Sequence, residues 1–347
     1  MPTIYDLVTA ENITAYWTEK NKNTQPLLGE TLFPTKKRLG TKLSWVKGAN
    51  NQPVALRLSS YDAKAIRRDR KGLEKVDTEM PFFKESVYID EELRKNLNNM
   101  IASNNQEVVN QILTNIFDDE ADLIDSSTYA LERMRMQLLT SGQITLSSNG
   151  QSYTYDYGLD SVTQKITTQK SWSDPTADII GDVVDVVEKA KVRGITITRA
   201  ICNSTVAKYF RTNSAIKNAI YVFANGTVPA TTSRAIDYIY TETGVKFYAY
   251  DNVYVDESGN PHKYVADDTV VFLPDGDLGY TNMGTTPEES DLMNSINTAS
   301  VSIVNEGVAV TTSPQVDPVN VETKVSMVGL PSFEMADKIV IFDTKKD

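Results

Sequence analysis

From about Asn104 to Ser141 the chain contains neither proline nor glycine, and its apolar residues return every three or four positions: Val109, Ile112, Leu113, Ile116, Leu123, Ile124, Leu131, Met134 and Leu138. An α-helix presents one face at this period, so the spacing predicts a single long helix, with Asp118, Asp119, Glu120, Glu132 and Arg135 left to face elsewhere. At a rise of about 1.5 Å per residue it reaches roughly 50 Å, enough to act as a beam joining distant parts of one subunit. Gly142 supplies the stop, where a left-handed C-terminal cap favours a residue without a side chain. The alternative is a pair of helices broken at Ser126, Ser127 and Thr128, whose hydroxyls compete for backbone hydrogen bonds.

Ahead of this helix, Thr9 caps a short helical stretch, ENITAYWTEK, which passes into the irregular NKNTQPLLGE. The segment reads as an arm: Tyr16, Trp17, Leu28 and Phe33 can be buried only against the rest of the chain or a neighbouring subunit, a domain-edge helix being the alternative. KLSWV and VALRLSS alternate apolar and polar residues around the GANNQP turn, and VYI precedes the acidic start EEL of another helical piece. The intervening YDAKAIRRDRKGLEKV has too few apolar residues for a core of its own and reads as a long projecting two-stranded loop.

Beyond the long helix, QITLSSNGQSYTYDYG is a hairpin with Asn149 and Gly150 at its turn. A helix is expected to open at Asp174-Pro175, to carry Ile179, Ile180, Val183, Val184, Val187 and Ala190 on its apolar side, and to end at Gly194. ITITRAICN follows as a buried strand, then Ser204 caps TVAKYFRT and a further helical turn covers SAIKNAI, a compact α/β module. Strand-like runs from VKFYAY to the terminal KIVIFD alternate with turn signals, so the C-terminus returns to sheets begun upstream.

A length of 347 residues suits two domains or one elongated multi-part subunit. No run approaches the roughly 18 apolar residues of a membrane helix, and MPTIYDLVTAENI lacks the basic-then-apolar layout of a signal peptide. The single Cys202 has no partner for an internal disulfide, which fits a reducing cytosol.

The net charge of -11 disfavours a general nucleic-acid binder. Locally the balance inverts, because from Lys36 to Lys75 twelve basic residues face only Asp62, Asp69 and Glu74. That stretch carries about +9 and leaves the remainder near roughly -20. It lacks the interleaved aromatics of a single-strand stacking platform and any groove-reading motif, so an acidic protein surface is the favoured partner over nucleic acid. The candidate intersubunit residues are therefore Tyr16, Trp17 and Phe33 of the arm and Arg67, Arg68, Arg70 and Lys71 of the loop.

Catalytic chemistry finds little to work with. The one histidine, His262, sits in the turn-like SGNPHKYV, so neither a Ser-His-Asp nor a Cys-His arrangement is supported, and a histidine or cysteine zinc site lacks ligands. DESGNP and PDGDLG are turns without the twelve-residue calcium-loop pattern, and no phosphate-binding glycine loop is present. The expectation is a protein that is not an enzyme and takes no cofactor or metal, an unrecognised hydrolase being the remaining alternative.

The order of parts resembles the major capsid proteins of tailed phages, specifically the lambda-like capsid protein E type. The likeness rests on ALERMRMQLLTSGQITL, DYG, WSDPTADI, FRTNSAIK, VYVDESGNPHKYVADDTVVFLPDGDLGYTNMG and VSMVGLPSFEMADKIVIF, in that order. It implies an α+β, Hong Kong 97-like fold: an N-terminal arm over 1–35, an extended loop over 36–85, a peripheral domain with a spine helix over 86–158, an axial domain over 159–294, and return strands over 295–347.

The implied function is self-assembly into hexamers and pentamers of an icosahedral shell enclosing double-stranded DNA, without sequence-specific binding and without a membrane. The partners that the resemblance implies are a separate scaffolding protein, an arrangement consistent with the lack of a long scaffold-like segment ahead of the arm, together with a portal protein and a decoration protein. Assembly is expected in the host bacterial cytoplasm. Some relatives form a lysine-to-asparagine crosslink, for which no matching triad is placed here.

Overall fold

The computed structural model describes residues 4–47, 74–102, 106–223, 230–295, 299–317 and 319–346. The chain opens with helices α1 (Ile4–Leu7), α2 (Ala10–Asn21) and α3 (Leu28–Leu32). Thr9 caps α2 from an extended backbone, its hydroxyl accepting the Asn12 N–H at 3.3 Å. Strands β1 (Thr35–Lys37), β2 (Lys42–Lys47), β3 (Glu74–Glu79) and β4 (Phe82–Ile89) lead to helices α4 (Glu91–Ala102) and α5 (Gln106–Ser141). β2 pairs with β3 in a two-stranded sheet, while the strand expected over VALRLSS lies outside the described residues.

α5 is one unbroken helix of 36 residues. The Ser126 and Ser127 hydroxyls donate to the Leu123 and Ile124 carbonyls at 2.7 and 2.6 Å, so they bond within the helix and do not open it. Gly142, at φ 78°, ends the helix, and its N–H reaches the Leu138 carbonyl at 2.9 Å.

Strands β5 (Gln143–Ser148) and β6 (Gln151–Asp156) close around Asn149 and Gly150, whose φ values of 50° and 74° are those a type I′ turn requires. β7 (Lys165–Thr167) precedes α6 (Ile179–Val192). Here the structure corrects the expected start: the cap is Asp178, whose carboxylate accepts the Gly181 N–H at 2.9 Å. Asp174 instead folds a local turn, accepting the Thr176 N–H at 2.8 Å, and that bond holds Pro175 outside the helix.

β8 (Arg199–Cys202), α7 (Ser204–Thr212), α8 (Ser214–Phe223) and α9 (Thr232–Thr243) follow, with Asn203 and not Ser204 capping α7 through the Val206 N–H at 3.1 Å. Next come β9 (Lys246–Ala249), β10 (Val253–Val255), β11 (Pro261–Lys263), β12 (Thr269–Leu273), β13 (Tyr280–Met283) and α10 (Pro287–Met293). The chain closes with β14 (Ser300–Val304), β15 (Val308–Val316), β16 (Val319–Ser332) and β17 (Val340–Asp343).

These elements form two compact units, one of residues 1–44, 77–135 and 280–332, the other of 45–76, 136–279 and 333–347. The first holds a six-stranded sheet in the order β1-β13-β16-β15-β14, with β4 also on β16. Because opposed residues of antiparallel strands share a face, Val87, Thr323 and Thr312 stand in one row and Ser86, Lys324 and Thr311 in another, on the opposite side. The Thr323 side meets α5 and the Thr312 side chain meets α2, while Lys324 and Ser326 on the other side meet Glu288 of α10. The second unit holds a five-stranded sheet in the order β7-β17-β12-β8-β9. Its core packs Trp172 against Phe342 and Phe210, with ring centroids 5.2 and 5.9 Å apart.

Candidate functional site

The arm is seated on its own chain in the first unit. Ile4, Val8, Ala10, Ile13, Leu32 and Phe33 are all buried, which places the apolar side of the arm in the unit's core. The Ala10 N–H donates to the Thr312 hydroxyl at 3.2 Å, and the Thr14 and Ser302 hydroxyls lie 3.0 Å apart, fixing α2 to β15 and β14.

On its other side α2 meets α5 through polar groups. The Tyr16 hydroxyl and the Lys20 ammonium donate to Asp118 Oδ1 at 2.9 and 2.8 Å, and Lys20 also lies 3.6 Å from Asp122. Trp17 Nε1 and Asn21 Nδ2 donate to Asp125 Oδ1 at 2.7 and 3.3 Å. Residues 16, 17, 20 and 21 share one side of α2, as 118, 122 and 125 share one side of α5, so the pairing follows from helical spacing on both partners. Lys20, then Tyr16, hold the Asp118 carboxyl below the ordinary aspartate range.

Farther along, the Gly29 N–H donates to Glu132 Oε1 at 2.8 Å, in a place where Glu132 and Arg135 are both buried. Arg135 Nε donates to the Thr281 hydroxyl at 2.8 Å, and Thr281 donates to the Phe33 carbonyl at 2.9 Å. Glu120 is also buried, its Oε1 accepting the Thr323 hydroxyl at 2.6 Å while Oε2 has no partner among the described residues. Burial pushes its carboxyl up to about 7. The expectation that Glu120, Glu132 and Arg135 face away from the packed side of the long helix is thereby corrected. The arm covers one flank of α5 and the sheet another, so more than the single apolar stripe is enclosed.

The predicted contact residues fall into three groups. Phe33 is fully buried in its own chain, whereas Tyr16 and Trp17 are partly buried and hydrogen-bonded to α5. Arg67, Arg68, Arg70 and Lys71 lie outside the described residues. Three basic residues at the start of the charge inversion are taken up within the first unit. Lys36 Nζ stands 2.9 Å from the centroid of the Tyr280 ring, Lys37 bonds Glu289 at 2.5 Å, and Arg38 donates to Asn282 at 2.6 Å. Residues 39–75 still hold nine basic residues against three acidic ones. In the second unit His262 is half-exposed on β11, its Nε2 2.8 Å from Asp256 Oδ2 and its ring 5.3 Å from that of Tyr254.

Sequence reasoning missed a groove of about 240 Å³ in the first unit, walled by Trp17, Pro26, Leu27, Thr128 and Tyr129 and edged by the carboxylates of Glu30 and Asp125. Its one legible signal was Asp125 and Tyr129 four residues apart on a helix, on the side away from the apolar stripe.

The sequence profile of the phage major capsid protein E family matches residues 9–344. No curated protein matches the chain. Among solved structures, a protein described as a prophage capsid protein from Escherichia coli CFT073 aligns over 97% of this chain and 99% of its own, at a TM-score of 0.59 and 14% identity. A phage-related protein from Bordetella bronchiseptica RB50 aligns over 95% and 96%, at 0.52 and 13%. The capsid protein of cyanophage A-1(L) aligns over 93% of each chain, at 0.51 and 11%. Identities this low bear on fold alone, and the fold is that of the Hong Kong 97-like capsid proteins.

Proposed function

The chain belongs to the phage major capsid protein E family, and we propose that its copies are joined by the basic segment of one subunit lying on the acidic arm-and-spine face of the next. As a major capsid protein it builds the icosahedral shell of a tailed phage, so its function lies in contacts between copies.

The observation that carries the reading is the division of charge. With Lys36, Lys37 and Arg38 bound to Tyr280, Glu289 and Asn282, the surplus that remains belongs to residues 39–75. The exposed side of α5 meanwhile offers Asp119 and Asp122. Exposed pairs of this kind contribute only about 0–1 kcal/mol each and are screened by salt, but a shell repeats them at every subunit. The peripheral role falls to the first unit and the axial role to the second. A separate scaffolding protein, a portal and a decoration protein complete the assembly, which takes place in the host cytoplasm.

Sedimentation of the wild type and of R67E/R68E/R70E, each with and without DNA at two salt concentrations, tests this reading. Assembly lost most strongly at low salt supports it. Unchanged assembly with lost retention on DNA favours a nucleic-acid-binding loop instead.

A further inference from the structure

The groove beside Trp17 lies wholly within the first unit and has the chemistry of a receptor for a small organic cation. Its two charged lining residues are both carboxylates, Glu30 on α3 and Asp125 on α5, and neither has a cationic partner among the described residues. The nearby lysines are engaged elsewhere, Lys20 by Asp118 and Asp122 and Lys22 by Glu19. Trp17 and Asn21 both donate to Asp125 Oδ1, which fixes the carboxylate and leaves Oδ2 to accept from another donor.

The walls select among cations. No group of three or more histidine, cysteine, aspartate or glutamate side chains stands together as a metal site among the described residues, so a hard metal ion, which asks for six or more oxygens, is poorly served. Trp17 and the half-exposed Tyr129 instead present ring surface, which attracts an organic cation, and Pro26 and Leu27 give apolar contact for its methylene groups. The volume of about 240 Å³ falls below that of drug-sized ligand sites and suits one short chain better than a folded partner.

We propose that this groove binds a linear aliphatic diamine, free or as part of a longer polyamine, with one ammonium on Glu30, another on Asp125 Oδ2, and the methylenes between them along Trp17 and Tyr129. Because the two carboxylates belong to different helices, the bound diamine ties the arm to α5, and a ligand held only by the folded chain raises its stability. The site is a property of the single subunit and stands apart from the contact between copies.

Titration of the full-length protein with putrescine at fixed ionic strength, followed by calorimetry and by tryptophan emission, tests the assignment. Of the three tryptophans, Trp45 and Trp172 are buried, so a change in emission reports on Trp17. Binding should saturate at one putrescine per chain and raise the melting temperature. Glu30→Gln, at an exposed position, and Asp125→Asn, which keeps an oxygen for Trp17 Nε1, should each weaken it on the order of tenfold. Tyr129→Ala should weaken it by about threefold or more. Asp119→Asn removes the same charge from α5 outside the groove and should change the affinity by less than about twofold.

Butylamine, with one ammonium, should bind on the order of tenfold more weakly than putrescine, and magnesium chloride at matched ionic strength should not displace it. Binding that never saturates, an equal loss from Asp119→Asn, or displacement by magnesium would reduce the effect to general attraction to an acidic protein and overturn the site. Equal affinity for butylamine would overturn the two-carboxylate bridge. Should Asp125→Asn alter the circular dichroism, Glu30→Gln and Tyr129→Ala decide alone, and undiminished binding by both overturns the assignment.

Discussion

Thr323 donates its hydroxyl to Glu120 across 2.6 Å in the buried space between the six-stranded sheet and α5, and the other oxygen of that carboxyl has no partner among the described residues. Burial raises the Glu120 pKa from 4.5 to about 7, so the folded chain holds the proton where the unfolded chain releases it. Below pH 4.5 both states are protonated and nothing is lost. Between there and pH 7 stability falls as pH rises, by about 3 kcal/mol in all. Thermal unfolding of the subunit from pH 5 to pH 8 should show this decline in wild type and a smaller one in Glu120→Gln. Parallel profiles would remove Glu120 as the source.

Gly29 lies so close to α5 that a methyl group there would sit 2.5 Å from Glu132 Oε2 and 2.9 Å from Arg135 Cβ. The second contact is close to helix backbone, which has little freedom to move away. Gly29→Ala should therefore cost about 1–3 kcal/mol as an overpacked substitution. A melting temperature equal to wild type would show that the seat of α3 yields more than the geometry implies.

The arm belongs to the core of its own subunit through Ile4, Val8, Ile13, Leu32 and Phe33. Each such side chain contributes about 1.5–3 kcal/mol on burial, so removing residues 2–34 takes away an amount comparable to the roughly 5–15 kcal/mol stability of a typical domain. The truncated chain should be insoluble or should expose apolar surface to a reporter dye. A soluble truncation with native circular dichroism would contradict the seating of the arm in cis.

Ile116 is buried in the middle of α5. Proline there removes a backbone hydrogen bond and clashes with the preceding turn, at about 3 kcal/mol or more. Ile116→Pro should give insoluble or assembly-dead protein, and normal particles from it would contradict an uninterrupted spine.

The elements that could be read in the sequence are those whose local chemistry agrees with their surroundings. α5 announces itself by its apolar period and by Gly142, and the β5–β6 turn by Asn149-Gly150. The polar residues of α5 were less legible. Glu120, Glu132 and Arg135 look like solvent-facing positions, and only the arm and sheet, brought in from residues far away in the chain, reveal that they are enclosed.

Caps were misplaced where two candidates compete within a few residues, as Asp174 does with Asp178 and Ser204 with Asn203. α9 was passed over because only Ala235 and Ile239 are buried along its length, although Thr231 and Gly244 mark its ends. Of the groove at Trp17 only the spacing of Asp125 and Tyr129 was legible, since its walls come from three separate stretches of sequence.

The most direct measurement is electron microscopy of the protein expressed together with its genomic neighbours. Closed icosahedral shells in which this chain is the repeating subunit are the predicted result. Discrete particles that never close, or protein found only along DNA, would contradict it.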